Sequence, residues 1–131
     1  MAQRVWGPVT LRAAAILDTS YEASDSQDVE AADAVSLLVV LTTGSLDSIE
    51  LYIEGTQHGT DTTDANSVWG QYTDAAGALL SLSYTTDGIY RFQVPPDGGI
   101  NADRKVRAQV KGTGTTTGSS VLVTAGYHVP R

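Results

Sequence analysis

The side chains of this sequence that could carry chemistry fall in a few short stretches. Asp25, Asp28, Glu30 and Asp33 crowd into nine residues, and Asp61 and Asp64 flank two threonines. Oxygen-rich loops of this kind can hold calcium. The Asp-x-Asp-x-Asp-Gly spacing with a distal Glu is missing, however, so both stretches read as solvated acidic loops. His58 and His128 are the only histidines, too few for a zinc site without carboxylate help. There is no cysteine, hence no thiolate nucleophile, disulfide or Cys-ligated metal centre. Ser119 and Ser120 have no nearby base and no Gly-x-Ser-x-Gly setting, which argues against an acyl enzyme. The glycine-rich run from Gly112 to Gly118 lacks the Gly-Lys-Ser/Thr ending and a following helix, so it reads as a hairpin connection and not as a phosphate loop. A pair of carboxylates for glycoside hydrolysis is defined in space, and no acid here stands in a markedly apolar context. Trp6, Trp69 and Tyr72 could stack on a sugar ring, against the plainer role of filling the core or covering a sheet edge. No enzyme, cofactor or metal is expected.

The elements that must position these residues are limited by size and composition. At 131 residues the chain suits one domain with one core, and 41% hydrophobic against 18% charged residues supports folding. The formal charge of −7 opposes binding to nucleic acid phosphates or anionic lipid, so neither nucleic acid nor membrane is an expected partner. The longest apolar stretch, Leu37 to Leu41, is far short of a membrane span. The N-terminus shows neither a basic region followed by an apolar one nor a small-residue cleavage site, so synthesis without a signal is expected. Charge is unevenly spread: no Lys or Arg lies between Arg12 and Arg91, where thirteen acids fall, whereas six bases face two acids from Gly88 onward. These charges either mix once the chain folds or meet across neighbouring copies.

Alternation supplies the strands. Residues 34–42 set Val35, Leu37, Val39 and Leu41 against Leu38 and Val40, the pattern of a strand buried on both faces. Residues 48–54 set Ile49, Leu51 and Ile53 against Glu50, Tyr52 and Glu54, one face core and the other wet. Residues 78–84 and 89–94, joined at Asp87-Gly88, read as a hairpin, and Pro95-Pro96 ends it. Residues 104–111 and 120–127 read as a second antiparallel pair. Residues 9–17 form a strand with Val9, Leu11, Ala13, Ala15 and Leu17 on one face. Segments 18–33 and 56–66 fit no strand. Seven or eight short strands between Gly, Asp, Ser and Thr turns predict an all-β fold, an antiparallel β-sandwich or jelly roll, in a single domain 9–131 behind an N-terminal arm 1–8. Its expected core is Val35, Leu37, Val39, Leu41, Ile49, Leu51, Ile53, Phe92, Val106, Val110, Val121 and Val123.

The order of these pieces resembles small β-sandwich virion proteins of tailed bacteriophages, of the head decoration or minor capsid type. A polar segment, Ser26-Gln27-Asp28-Val29, leads into the Val-rich strand from Val35. A short turn precedes a second alternating strand, Leu46 to Gly55. Near the end, Arg104-Lys105-Val106-Arg107-Ala108-Gln109-Val110-Lys111 and a Gly/Thr/Ser loop feed a last strand, Val121-Leu122-Val123. The likeness covers residues 27–125.

This resemblance implies a structural virion protein, foremost a capsid decoration (cement) protein that binds the phage head surface and stabilises neighbouring capsid subunits. A head–tail connector or tail component is the neighbouring reading, and a carbohydrate-binding β-sandwich module is the reading from another class. The implied partners are the major capsid protein or other virion proteins and further copies of the chain, a trimer for example, with assembly in the host cytoplasm. The expected contact residues are Val5 and Trp6 in the arm, Asp25, Asp28 and Glu30 in the acidic segment, and Arg107 and Lys111 pointing outward from a strand.

Overall fold

The computed structural model describes residues 4–30, 32–74, 76–96 and 102–129. They form two antiparallel sheets packed face to face. Sheet A runs in the order β1 (Arg4–Ala15), β10 (Ser120–Val129), β4 (Ala34–Thr42), β8 (Gly88–Val94). Sheet B is built on β9 (Lys105–Gly114) and β5 (Leu46–Thr56). The short strands β2 (Glu22–Ala23) and β3 (Gln27–Asp28) pair with the outer edge of β9, while β6 (Gly70–Gln71) and β7 (Leu82–Tyr84) pair with the far edge of β5. A 3-10 turn spans Asp64–Asn66. Among the described residues no helix is long and apolar enough to cross a membrane. The all-β sandwich read from alternation is the fold observed.

The core follows from the period of two. On β4 the side chains of Val35, Leu37, Val39 and Leu41 are buried. They sit in register with Tyr127, Ala125, Val123 and Val121 of β10. Sheet B supplies Ile49, Leu51 and Ile53 from β5 and Val106, Ala108 and Val110 from β9. Each such aliphatic side chain stabilises the fold by about 1.5–3 kcal/mol when removed from water. Every residue of the expected core is buried except Phe92, which is partly buried against the cluster. Leu38 and Val40 are only half-buried, so β4 is covered on one face and not on both.

Several expectations about neighbours are overturned. Residues 78–84 and 89–94 do not pair as a hairpin. Only Leu82–Tyr84 of the first is strand, and it pairs with β5 in sheet B, whereas β8 pairs with β4 in sheet A. Asp87 decides this: its carboxylate accepts hydrogen bonds from Thr43 N at 2.7 Å and Thr43 Oγ1 at 2.8 Å, pinning the connection to the end of β4. Tyr84 and Tyr90 then meet across the layers with ring centroids 4.1 Å apart. Likewise β9 and β10 lie in different sheets, so the glycine-rich run is a crossing between layers rather than a hairpin loop. It packs on the other crossing, 43–45, where Ser45 N donates to Thr117 O at 3.0 Å. Gly44 there has φ +57°, and a Cβ would stand 2.5 Å from the Gly118 carbonyl carbon, so this approach needs glycine.

The N-terminal strand starts earlier than expected. Residues 4–8 of the expected arm belong to β1, with Arg4, Val5 and Trp6 in register with Val129, His128 and Tyr127. Residues 1–3 lie outside the described residues. Irregularities between Thr10 and Arg12 and between Arg12 and Ala15 break the alternation, so Leu11 is buried but Ala13 and Ala15 are exposed. Segment 18–33, expected to fit no strand, is held against β9 by β2 and β3 and contributes Val29 and Ala32 to the core.

Candidate functional site

Polar chemistry concentrates on the outer face of sheet B. The β5–β9 register sets Glu50 opposite Lys111 and Glu54 opposite Arg107, with Thr56 opposite Lys105. These side chains point away from the core, because Leu51, Ile53, Val106 and Val110 alternate with them. Segment 57–69 then folds back over this face. Beneath it Glu54 is 6% exposed, its carboxylate accepting from Arg107 Nε at 2.5 Å and Gln109 Nε2 at 2.9 Å. Sequence alternation predicts Glu54 as wet, and the covering segment is why it is not. The Arg107 guanidinium stacks 4.0 Å from the Trp69 ring centroid, and Trp69 Nε1 donates to Asp64 O at 3.0 Å. Lys105, 4% exposed, donates through Nζ to Thr62 O and Asp64 Oδ1, both at 2.9 Å. Burial pushes the Asp64 carboxyl up, but hydrogen bonds from Lys105 and Ser26 and the charges of Lys105 and Arg107 outweigh it, leaving the group below the usual carboxylate value.

Beside this network the Tyr72 hydroxyl donates a short hydrogen bond to Asp103 Oδ2 directly above Gly55. A Cβ on Gly55 would overlap both groups, so glycine is required by close approach. Burial, the hydrogen bond to Asp103 and that carboxylate's charge hold the Tyr72 hydroxyl far above its ordinary pKa. An open cleft of about 370 Å³ lies alongside, lined by Thr56, Gln57, His58, Trp69, Gln71 and Asp103 among others. Trp69 and Tyr72, the rings that could stack on a sugar, both border this network. Arg107 occupies one face of Trp69, and the Tyr72 hydroxyl is tied to Asp103.

The expected contact residues fare unequally. Arg107 does not present a free outward charge: its side chain is 16% exposed and paired with Glu54. Lys111 is paired with Glu50 at 3.1 Å and lies over the Tyr21 ring at 4.8 Å. Arg104 stands 3.6 Å from Glu30. The cationic stretch 104–111 thus meets the anionic stretch inside the chain, because β9 lies between segment 18–33 and β5. Asp25, Asp28 and Glu30 are exposed on the β9 side, with Asp28 Oδ1 accepting from Glu30 N at 2.9 Å. Val5 and Trp6 lie in β1 at the edge of sheet A.

Of the other singled-out groups, Ser119 and His128 make structural contacts. Ser119 Oγ donates to Thr116 O at 2.6 Å and accepts from Leu17 N at 3.1 Å, tying the crossing to the end of the first strand segment. His128 Nδ1 is 2.6 Å from Asp33 Oδ1, whereas His58 is exposed at the cleft. Among the described residues no group of three or more His, Cys, Asp or Glu is arranged to hold a metal ion.

The outer face of sheet A has the opposite character. None of the fifteen acids lies in β1, β4, β8 or β10. The registers place Leu122, Val40 and Ile89 side by side across β10, β4 and β8, with Thr124, Leu38 and Arg91 in the next row. Ile89 is 68% exposed. Below them a shallow hollow of about 500 Å³ opens where Pro8, Ala34, Ser36 and Gly126 are small, with Arg91 and His128 on its walls. Alternation alone could have shown this face, since it needs only the outward residues of the four strands.

No protein-family model matches the chain, and no curated protein matches it. Among solved structures, it is similar to the SPBc2 prophage-derived protein YomS at 17% identity, covering 98% of this chain and 96% of that one, with a TM-score of 0.49. It is also similar to chains of infectious bursal disease virus. For the Gt strain, identity is 14% over 97% of this chain, with a TM-score of 0.48. For the VP2 subviral particle, identity is 12% over 97%, with a TM-score of 0.43. The chain spans about a third of the length of these two viral chains, 31% and 32%.

Proposed function

We propose that this chain is a structural protein of a tailed-phage virion, a decoration protein that binds the head surface and bridges neighbouring capsid subunits. The observation that carries the reading is the fate of the charged side chains. Arg104, Lys105, Arg107 and Lys111 are each paired within the chain. The densest polar cluster therefore holds two strands and a covering segment together, and what the molecule turns outward is sheet surface suited to protein contact. The resemblance of segments 27–55 and 104–123 to small virion sandwiches points the same way.

The test is to purify particles made with and without an intact copy of the gene. The chain is expected to co-purify with wild-type particles in stoichiometric amounts, and particles lacking it are expected to release DNA at lower temperature. Absence of the chain from washed particles refutes the reading. Density at the head–tail junction or along the tail in a particle map would replace decoration with a connector or tail role.

A further inference from the structure

We propose that the outer face of sheet A receives the acidic segment 18–33 of a second copy of this chain, so that copies associate head to tail. The argument starts from charge. With a net charge of −7, two copies approaching at random repel. The side where that repulsion is least is the outer face of sheet A, whose strands carry no acid. Two carboxylates border its strands in sequence, Asp33 ahead of β4 and Asp87 ahead of β8. Asp33 is engaged by His128, and Asp87 is engaged by Thr43. Arg91 is exposed on the face beside the row Leu122, Val40, Ile89 and on the wall of the hollow.

The complementary surface is on the same molecule. Asp18, Glu22, Asp25, Asp28 and Glu30 are all exposed, and Asp25 and Asp28 make no ion pair among the described residues. The exposed Tyr21 adds an aromatic side chain to this segment. The segment is seated on the β1–β9 side of the sandwich, where Asp25 N donates to Leu11 O at 2.8 Å and Glu22 lies 3.8 Å from Arg12. It therefore faces sideways while the acid-free sheet faces outward.

Made head to tail, without the reciprocal contact that a two-fold dimer adds, this pairing propagates and closes only as a ring of three or more copies. Four strands about 4.8 Å apart and about nine residues long offer a face about 19 Å by 30 Å. Burial on that scale sits at the low end of specific interfaces, so association in the micromolar range is expected. Isolated copies supply both surfaces, so this contact stands or falls apart from any binding to particles.

The test is the mass of the purified full chain by light scattering and sedimentation between about 1 and 100 μM. The wild type is expected to form a species larger than a dimer, at least tenfold weaker at high salt. Arg91→Glu, and separately the double substitution Asp25→Lys with Asp28→Lys, should each weaken association at least tenfold, while melting temperatures stay unchanged because these groups are exposed. Combining all three substitutions in one chain should restore the oligomer, because the charges are exchanged. A wild type that stays monomeric at the highest concentration overturns the proposal. A two-fold dimer as the final species overturns it equally, as does failure of the triple variant to recover while it remains folded.

Discussion

Arg107→Ala tests whether the network on sheet B is part of the fold. The Glu54 side chain is 8% exposed and that of Arg107 16%, and they meet at 2.5 Å. Truncating the arginine leaves a buried carboxylate with Gln109 as its remaining side-chain hydrogen-bond partner. Breaking a buried pair from one side costs about 3–5 kcal/mol, and the slight exposure here puts the loss near the lower end. Removing the stack on Trp69 adds about 0.5–1 kcal/mol. A total of about 3–4 kcal/mol corresponds to a fall of about 10–15 °C in melting temperature for a domain of this size. The control is Lys111→Ala, whose pair with Glu50 is about a third exposed on both sides and contributes under about 1 kcal/mol. Thermal and urea unfolding followed by circular dichroism reads both. Adding Glu54→Gln to Arg107→Ala should recover at least about 1 kcal/mol, since it removes the stranded charge while an amide can still bond to Gln109. The reasoning is refuted if Arg107→Ala lowers the melting temperature no more than Lys111→Ala does.

Three further outcomes follow from the same geometry. Leu51→Asp places a charge at a site with no solvent exposure and should destabilise by several kcal/mol, read as loss of the cooperative thermal transition. Gly55→Ala drives a methyl group into Asp103 and Tyr72 and should cost about 1–3 kcal/mol in urea unfolding, whereas Gly70→Ala, whose added Cβ would stand 4.0 Å from the Gly55 carbonyl oxygen, should cost less. The raised Tyr72 pKa favours the folded state fully below about pH 10, and that contribution is lost as pH rises further, because the unfolded tyrosine ionises first. Tyr72→Phe should therefore cost about 1 kcal/mol at neutral pH and flatten the alkaline fall in stability, without abolishing it, since burial also raises Tyr52 and Tyr84.

Alternation along the chain was enough to place the core. It assigned Val35, Leu37, Val39 and Leu41, Ile49, Leu51 and Ile53, and Val106 and Val110 to inward faces, and it located β4 to the residue. Composition alone established that no thiol chemistry is available and that the surface is anionic. Such properties are local: a side chain's direction in a strand depends on its parity and on its immediate neighbours. Which strand lies beside which is not local. The separation of β7 from β8 rests on Asp87 reaching Thr43, forty-four residues away, and the separation of β9 from β10 rests on two crossings packed around Gly44. The partners of Arg107 and Lys111 were equally hidden, since their acids lie more than fifty residues earlier and meet them only through the β5–β9 register. Glu54 shows the limit most plainly. Its parity correctly turned it away from the core, yet it is buried, because segment 57–69 closes over the outer face and makes an interior where the pattern predicted water.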